Sequence, residues 1–535
     1  MANQKRGAIT RRGALKAGAK GLVLTSAIGI APKYLISPAR ATGLAAGMTG
    51  GPTGFEGAER FQYNEGMSEG RAIEAAKKLK AEGKAPEKIV FLLTQGAVGQ
   101  FRQPFPDGAP TVASVWEKET GIPVEIIPAG ETEIIPKVMQ DITTGSATYD
   151  IYTGPWNAVG DKVDSNGILN LDEFVEKHRP DWGDPERGTP TPEMENLLYK
   201  YNGSYYTISI DGDFQTWVYR KDLFGDEANK AAFSDKYGWE LGPPRTWQET
   251  DQISEFFSAK GVPTCNLIGP FWGLSIFYAR FAGQGNPNYY FFDEDGNPNL
   301  DTDIGIKVLE EHVKTKDWSS RDALTWTWAE AYGAMGQAEG LMMSTYTNLR
   351  KFNDRHNADG TPATPATGKL GSFLPPGNSF GDDLIRRSCL YYNINAEISS
   401  QSEHPEVAYL FMQWASSTRT FSWMSGNPGG YFDPFQKANF AEPLVQQTYH
   451  ADHCKIIQET IARSAPTINF AGQGAFDNAL DEQIQAVMVG EKTPAEAMKK
   501  ASKKWSKIIK KRGETRMIDA INKSRENWPS IVDKA

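Results

Sequence analysis

At 535 residues, with 57 basic and 66 acidic side chains, the chain is too long for one hydrophobic core and too acidic to favour a phosphate backbone or an anionic lipid surface. Roles on nucleic acid and at membrane surfaces are excluded on that ground, and two lobes or domains become the expectation. Three cysteines, Cys265, Cys389 and Cys454, lie far apart, so one disulfide at most is allowed and buried reduced thiols are expected in a chain this large.

Residues 1–41 are a different material. They carry eight basic residues and no acid around an apolar run from Gly21 to Ile30, the layout of an export signal. The run falls short of the roughly 20 residues that span a bilayer. Thr10-Arg11-Arg12-Gly13-Ala14-Leu15-Lys16 resembles the twin-arginine signal that exports folded proteins, with Ala14 where Phe is usual, and Ala39-Arg40-Ala41 is the expected cleavage site. Loss of this segment leaves 49 basic against 66 acidic residues, a net charge of −17. Residues 42–84 are expected to be a leader followed by a short helix from Arg71 to Glu82.

From there strands and helices alternate. Glu87 to Leu93 is a continuous apolar run, expected as a strand buried on both faces and ending at Thr94-Gln95-Gly96. Thr111 to Thr120 has helical spacing, Ile122 to Ile127 reads as a second strand, and Glu131 to Thr144 as a second helix. Tyr149 to Tyr152 is a third strand that ends at Trp156-Asn157. The alternation predicts a parallel sheet with crossover helices, in which ligands gather at the carboxyl ends of strands. Gln95, Trp156 and Asn157 are therefore candidate contacts, and the plainer reading of each is an ordinary loop residue.

The stretch Tyr199 to Phe224 reads as strand, break, strand. It opens on an Asn202-Gly203 turn suited to a tight hairpin and breaks at Asp211-Gly212-Asp213, where glycine permits backbone angles other residues avoid. Ionised carboxylates offer only acceptors, so Asp211 and Asp213 at a break between two lobes would suit a ligand's hydroxyl groups. The plainer reading is a solvated Asp-Gly loop.

Beyond the break, Pro243 to Thr250 supplies a helix start with Thr246 as cap and Glu249 as its capping-box partner. Cys265 to Ile268 is expected as a strand leading into Gly269-Pro270-Phe271-Trp272-Gly273. Asp293 to Asn297 lacks the spacing of a calcium loop and reads as a turn. Ala338 to Tyr346 and Ser388 to Ile394 are strand-like, with Tyr346 a further candidate contact. His404 to Ser417 is helical, and Ala479 to Ile509 is helical with a break at Gly490; its basic run from Lys499 to Lys511 is expected as a solvated face.

Several of these pieces occur together in one order. The hinge with Tyr219-Arg220-Lys221-Asp222-Leu223, the Pro-Arg-Thr-Trp-Gln-Glu helix start, the Gly-Leu-Met-Met strand, His404-Pro405-Glu406-Val407-Ala408 and Gly490-Glu491-Lys492-Thr493-Pro494-Ala495-Glu496-Ala497 resemble the extracellular solute-binding proteins of bacterial carbohydrate importers, over about Glu87 to Ile509. The resemblance implies an α/β, two-lobe periplasmic binding protein fold of type II, with a hinge crossed more than once. It implies lobe one at 85–210 plus 346–393 and lobe two at 211–345 plus 394–535. It puts Asp213 at the acid that binds sugar hydroxyls, Trp156 near a first-lobe aromatic, and Phe271 or Trp272 near a second-lobe aromatic. Phe476 falls near another stacking position, where Trp is usual, and Gly430 and Tyr431 in a loop that touches ligand. A sugar or polyol ligand, an inner-membrane ABC permease as partner, the twin-arginine machinery as exporter, a periplasmic location and a monomer without cofactor, metal or catalytic residues follow as expectations.

Two rival readings are weaker. A glycosidase needs two carboxylates flanking one bond, and Asp211 and Asp213 project from the same side of one segment, while an Asp293 and Asp303 pair sits at an apparent turn. A metal-binding protein would use His450, His453 and Cys454, which share a helical face, but no second cluster accompanies them. Tyr391-Tyr392 is unremarkable in a strand.

Overall fold

A computed structural model describes residues 66–103, 111–131, 133–357, 359–428 and 430–535. The export signal, its cleavage site and the leader through residue 65 lie outside these. The apolar run Ile89–Thr94 forms β1, parallel to both β2 (Val124–Ala129) and β3 (Ile151–Pro155). The crossover helices between them are Val112–Thr120 and Ile134–Thr144. Thr111 and Ser114 cap the first reciprocally, each backbone N–H donating to the other's hydroxyl at 3.0 Å.

Next comes a hairpin whose turn residues Asn202 and Gly203 both take positive φ, 52° and 90°, as its right-handed twist demands. β4 (Ile208–Ser209) and β5 (Thr216–Arg220) flank the break at 210–215. β6 (Met342–Thr345) and β7 (Leu370–Phe373) pair with β5 on either side, both antiparallel. β8 (Ser388–Leu390) runs parallel to β10 (Ser464–Pro466), and between them in sequence β9 (Ile394–Ile398) lies antiparallel to β3 and β4.

Two of the sheets among the described residues are ordered β2-β1-β3-β9-β4 and β6-β5-β7, one in each lobe of an α/β fold. The first is parallel at its core, as expected, with an antiparallel strand inserted. The second is wholly antiparallel, so the parallel pattern does not repeat. Cys265–Ile268 is not a strand: Cys265 N–H bonds to Met342 O and the only ladder contact nearby is a bridge between Thr264 and Ser319. The segment boundaries also differ from expectation. β7, inside the stretch 346–393 assigned to lobe one, belongs to the second sheet, and β9, assigned to lobe two, belongs to the first. Long-range pairing, not sequence order, decides which sheet a returning strand joins.

Aromatic rings fill the first lobe's core, with Trp116 and Phe91 at 5.5 and 6.0 Å from Phe411 of helix Pro405–Ala415. That helix packs on Ser68–Ala81. In the second lobe, Phe292, Phe476 and Trp505 form a corresponding cluster. Thr246 and Glu249 make the expected capping box at Trp247–Ser258. Helix Pro494–Arg512 buries Ala501, Trp505 and Ile509 and turns its lysines outward, as expected. All three cysteines are buried free thiols.

Candidate ligand cleft

The chain passes between lobes three times: at 210–215, between β8 and β9, and between helices Lys437–Ala441 and Ala451–Ile461. The first of these helices hangs from the 185–188 loop of lobe one and the second packs on β5 and β7. Where these passages meet, Gly212 is required by closeness. A Cβ there would stand 2.8 Å from the carbonyl oxygens of Asp433 and Pro434. The expected reason, a left-handed backbone, does not apply, since Gly212 is not among the positive-φ residues.

Asp211 is spent on the hinge itself. Its Oδ1 accepts from the backbone N–H of Gly212 at 2.8 Å and of Asp433 at 2.9 Å, tying the first passage to the segment ahead of helix Lys437–Ala441. Asn393, on the second passage, accepts the Asp213 N–H at 3.0 Å and donates to Ser209 Oγ at 2.9 Å. Tyr449 donates its hydroxyl to Asp433 Oδ1, and the buried Lys351 ammonium donates to Ser425 O, Phe432 O and Tyr449 Oη at 3.0–3.2 Å. Burial pushes the carboxyls of Asp211, Asp213 and Asp433 up; for Asp213 the charges of Asp211 and Asp433 add to the effect. Burial brings Lys351 down to about 8, against the pull of the same three acids.

Beside the second passage lies a box of rings drawn from both lobes. Phe271 is 42% exposed, the most open of them, and holds a positive φ of 67° secured by its N–H bond to Asp481 Oδ2 at 2.8 Å. Strain at a bulky exposed ring of this kind marks a position where the ring is wanted outward. Its ring centroid lies 5.0 Å from Trp272 and 5.3 Å from Tyr391. Trp272 in turn lies 6.3 Å from Tyr346 and 6.5 Å from Tyr392. From lobe one, Tyr431 covers Gly96, whose Cβ would lie 2.9 Å from the ring, and reaches Trp328 of lobe two at 6.1 Å. Its hydroxyl donates to Glu131 Oε1 at 2.9 Å. Burial pushes the Glu131 carboxyl up, opposed by that bond. The charges of Asp213 and Glu131 both act on Tyr392 and Tyr431, whose hydroxyls burial pushes up first.

The structure thus gathers Asp213, Phe271, Trp272, Tyr346 and Tyr431, and leaves other expected residues elsewhere. Gln95 is exposed at the end of β1. Trp156 is fully buried with its indole N–H unpartnered, held by its backbone N–H to Asn393 O at 2.9 Å. Asn157 donates to Tyr391 O at 3.1 Å and so braces the second passage. Gly430 sits against Gln100. Phe476 is in the second lobe's core, 5.5–5.9 Å from Trp505, Phe470 and Phe292, and does not reach the box, because the helix Gln473–Met488 turns it inward. Glu131, Trp328, Asp433 and Lys351 are additions. Asp433, two residues past Tyr431, carried a signal; Lys351, inside Leu349-Arg350-Lys351-Phe352, carried none.

The rival sites come apart. His453 uses both ring nitrogens, on Ser372 Oγ and Thr347 O at 2.8 Å, and shares no ion site with His450 or Cys454. Asp293 Oδ1 accepts from the N–H groups of Asp295 and Asn297, the expected turn. Surface cavities of about 160 and 180 Å³ beside Asn202 and Lys523 include none of the ring box. Flat rings with acceptor-only carboxylates between them match a compact polyhydroxylated ligand, whose C–H faces pack on rings and whose hydroxyls donate to carboxylates.

Comparison with known proteins agrees with the two-lobe architecture. Residues 95–420 match the family model described as bacterial extracellular solute-binding protein. Similar solved structures include maltose-bound MalE3 of T. maritima, at 16% identity and TM-score 0.62 over 79% of this chain and 99% of that one. A solute-binding protein of Agrobacterium radiobacter in complex with ribitol matches at 17% identity and TM-score 0.62, over 79% of this chain and 100% of that one. One of Agrobacterium vitis with bound D-mannitol matches at 18% and 0.60, over 80% and 99%. No curated protein matches the chain.

Proposed function

Because this chain belongs to the bacterial extracellular solute-binding protein family, we propose that it captures a sugar, oligosaccharide or polyol between its two lobes and delivers it to an inner-membrane ABC permease. The observation that carries the reading is the ring box: Trp328 from one lobe meets Tyr431 from the other, whose hydroxyl bonds Glu131, while Phe271 and Trp272 stand against Tyr346 and Tyr392 beside the hinge. Closure would let each lobe contribute half the contacts and expel water between them, and the closed shape is what a permease would recognise. The ligands bound in similar structures, maltose, ribitol and D-mannitol, are of this chemical class. Export by the twin-arginine route, a periplasmic location, a monomeric state and a purely binding role complete the proposal. The residues proposed to touch ligand are Asp213, Glu131, Phe271, Trp272, Tyr346 and Tyr431.

Thermal unfolding of residues 42–535 against a panel of sugars and polyols tests this. A ligand at a hundred times its dissociation constant should stabilise by about 2.7 kcal/mol. The shift should vanish in Trp272→Ala, which removes a half-buried ring of the box and leaves the hinge untouched. A panel without any stabilising carbohydrate or polyol, or release of reducing sugar from a glycoside, overturns the reading.

A further inference from the structure

The hinge holds more negative charge than its contacts use. Asp211, Asp213 and Asp433 are all buried, and each offers a carboxylate oxygen within 4.8 Å of those of the other two. Lys351 is the cation whose charge acts on all three. Its three N–H bonds, however, go to the carbonyls of Ser425 and Phe432 and to Tyr449 Oη, so none is left for a carboxylate. Asp211 Oδ1 is filled by two backbone N–H groups and Asp433 Oδ1 by the Tyr449 hydroxyl. The second oxygens, Asp211 Oδ2 and Asp433 Oδ2, are buried with no hydrogen-bond partner. A buried anionic oxygen left without a partner is costly, so either a proton shared with Asp213 or a bound cation must answer it.

We infer that Asp211, Asp213 and Asp433 form a binding site for a hard divalent cation of the size of Ca²⁺, held between the first passage of the hinge and the Asp433 segment. The donor set is all oxygen, without histidine or thiolate, which selects the hard cations over zinc or copper. The span fits as well. Oxygens no more than 4.8 Å apart can all meet one Ca²⁺ at about 2.4–2.6 Å, and a buried cage of protein oxygens suits Ca²⁺ better than Mg²⁺, which keeps several of its waters. The charge also closes, since one divalent ion and the Lys351 ammonium together balance three carboxylates. Such an ion would fix the first passage against the Asp433 segment and hold Asp213 in place. The inference stands on the hinge contacts and does not depend on the identity of the cleft ligand.

The test uses the full chain stripped with EDTA, then titrated with CaCl₂ or MgCl₂ in the absence of any sugar. The expected result is one Ca²⁺ bound per chain by isothermal titration, with a melting temperature that rises with the logarithm of Ca²⁺ concentration. Tb³⁺ put in its place should luminesce on excitation of Tyr449, which touches Asp433. Asp433→Asn and Asp211→Asn should each abolish stoichiometric binding. Measured in EDTA, these variants should melt at or above the parent, since each removes a buried charge without an answer; a variant folded in EDTA yet silent to Ca²⁺ therefore supports the site and cannot be mistaken for a misfolded chain. Absence of stoichiometric Ca²⁺ binding to the parent, binding retained by both variants, or an equal response to Mg²⁺ overturns the assignment. Repeating the carbohydrate panel in EDTA keeps the two readings separate, because a sugar response there survives the failure of the ion site and an ion response survives the failure of the panel.

Discussion

Two buried acidic sites, one in β9 and one at the hinge, are treated in opposite ways by the molecule. Glu397, in the internal strand β9, receives both of its bonds from the Lys162 ammonium, and neither side chain exceeds 1% exposure. The hinge carboxylates have a buried lysine too, but Lys351 turns its donors to carbonyls and a hydroxyl. The first site is a closed pair within one lobe and has nothing left to offer. The second leaves acceptors open at the hinge, where the two lobes meet, which is where a protein that must move and bind has use for them.

Breaking the closed pair should have the largest effect. Glu397→Ala strands the Lys162 charge in the core of lobe one and should cost about 3–5 kcal/mol, read as a lower midpoint in urea unfolding. Replacing both partners by apolar residues of like volume should restore most of it, because the pair's attraction mainly offsets its own desolvation. At the hinge the sign reverses, with neutral Asn variants melting no lower than the parent in EDTA. Equal losses at both sites would remove the contrast.

A third treatment is to bury the group uncharged. His312, with no partner on either ring nitrogen, and His453 are both brought down to about 3, by burial first and then by Arg280 and Arg350 respectively. Both pKa values are depressed by folding, so the unfolded chain binds the additional protons. Their stability contribution is complete above about 6.5, and is lost as pH falls from there toward 3. The slope of unfolding free energy against pH should reach about 1.4 kcal/mol per unit for each histidine. His312→Gln should flatten the profile by one proton, measured by urea unfolding between pH 5 and 6.5.

Much of the fold is legible in the sequence because its signals are local. Ile89 to Leu93 shows no polar face, Asn202-Gly203 names its own turn, and Thr246 with Glu249 spells its cap. The sheet to which β7 and β9 return is not local, since each is chosen by partners more than a hundred residues away, and so the two were exchanged between lobes. The site divides along the same line. Asp213, Trp272 and Tyr431 follow from their residue types and their places in the chain order. Phe476 does not, because an aromatic on a helix looks the same whether it faces a cleft or Trp505. Gly212 was located correctly for a different reason than the real one, which depends on the backbone of Asp433 and Pro434 passing against it.

The smallest predicted effect lies at a charge pair exposed to water and set across the lobes. Arg512 reaches Asp161 at 2.9 Å and Arg516 reaches Asp164 at 2.9 Å, from the C-terminal helices of lobe two to the helix Val159–Asp164 that follows Trp156-Asn157 in lobe one. These pairs are a third to a half exposed, so each should contribute less than about 1 kcal/mol to folding. Their position gives that small energy a different readout. If the pairs exist only when the lobes are together, 1 kcal/mol moves the closed population about fivefold, and the apparent affinity for a cleft ligand moves with it. Arg512→Ala with Arg516→Ala should therefore leave the melting temperature of the ligand-free chain nearly unchanged while weakening ligand binding several-fold at low salt. The difference from the parent should shrink as ionic strength rises and the Debye length falls below about 10 Å. An affinity loss that ignores salt, or none at all, would mean that the clasp holds equally in open and closed states and that closure rests on the ring box alone.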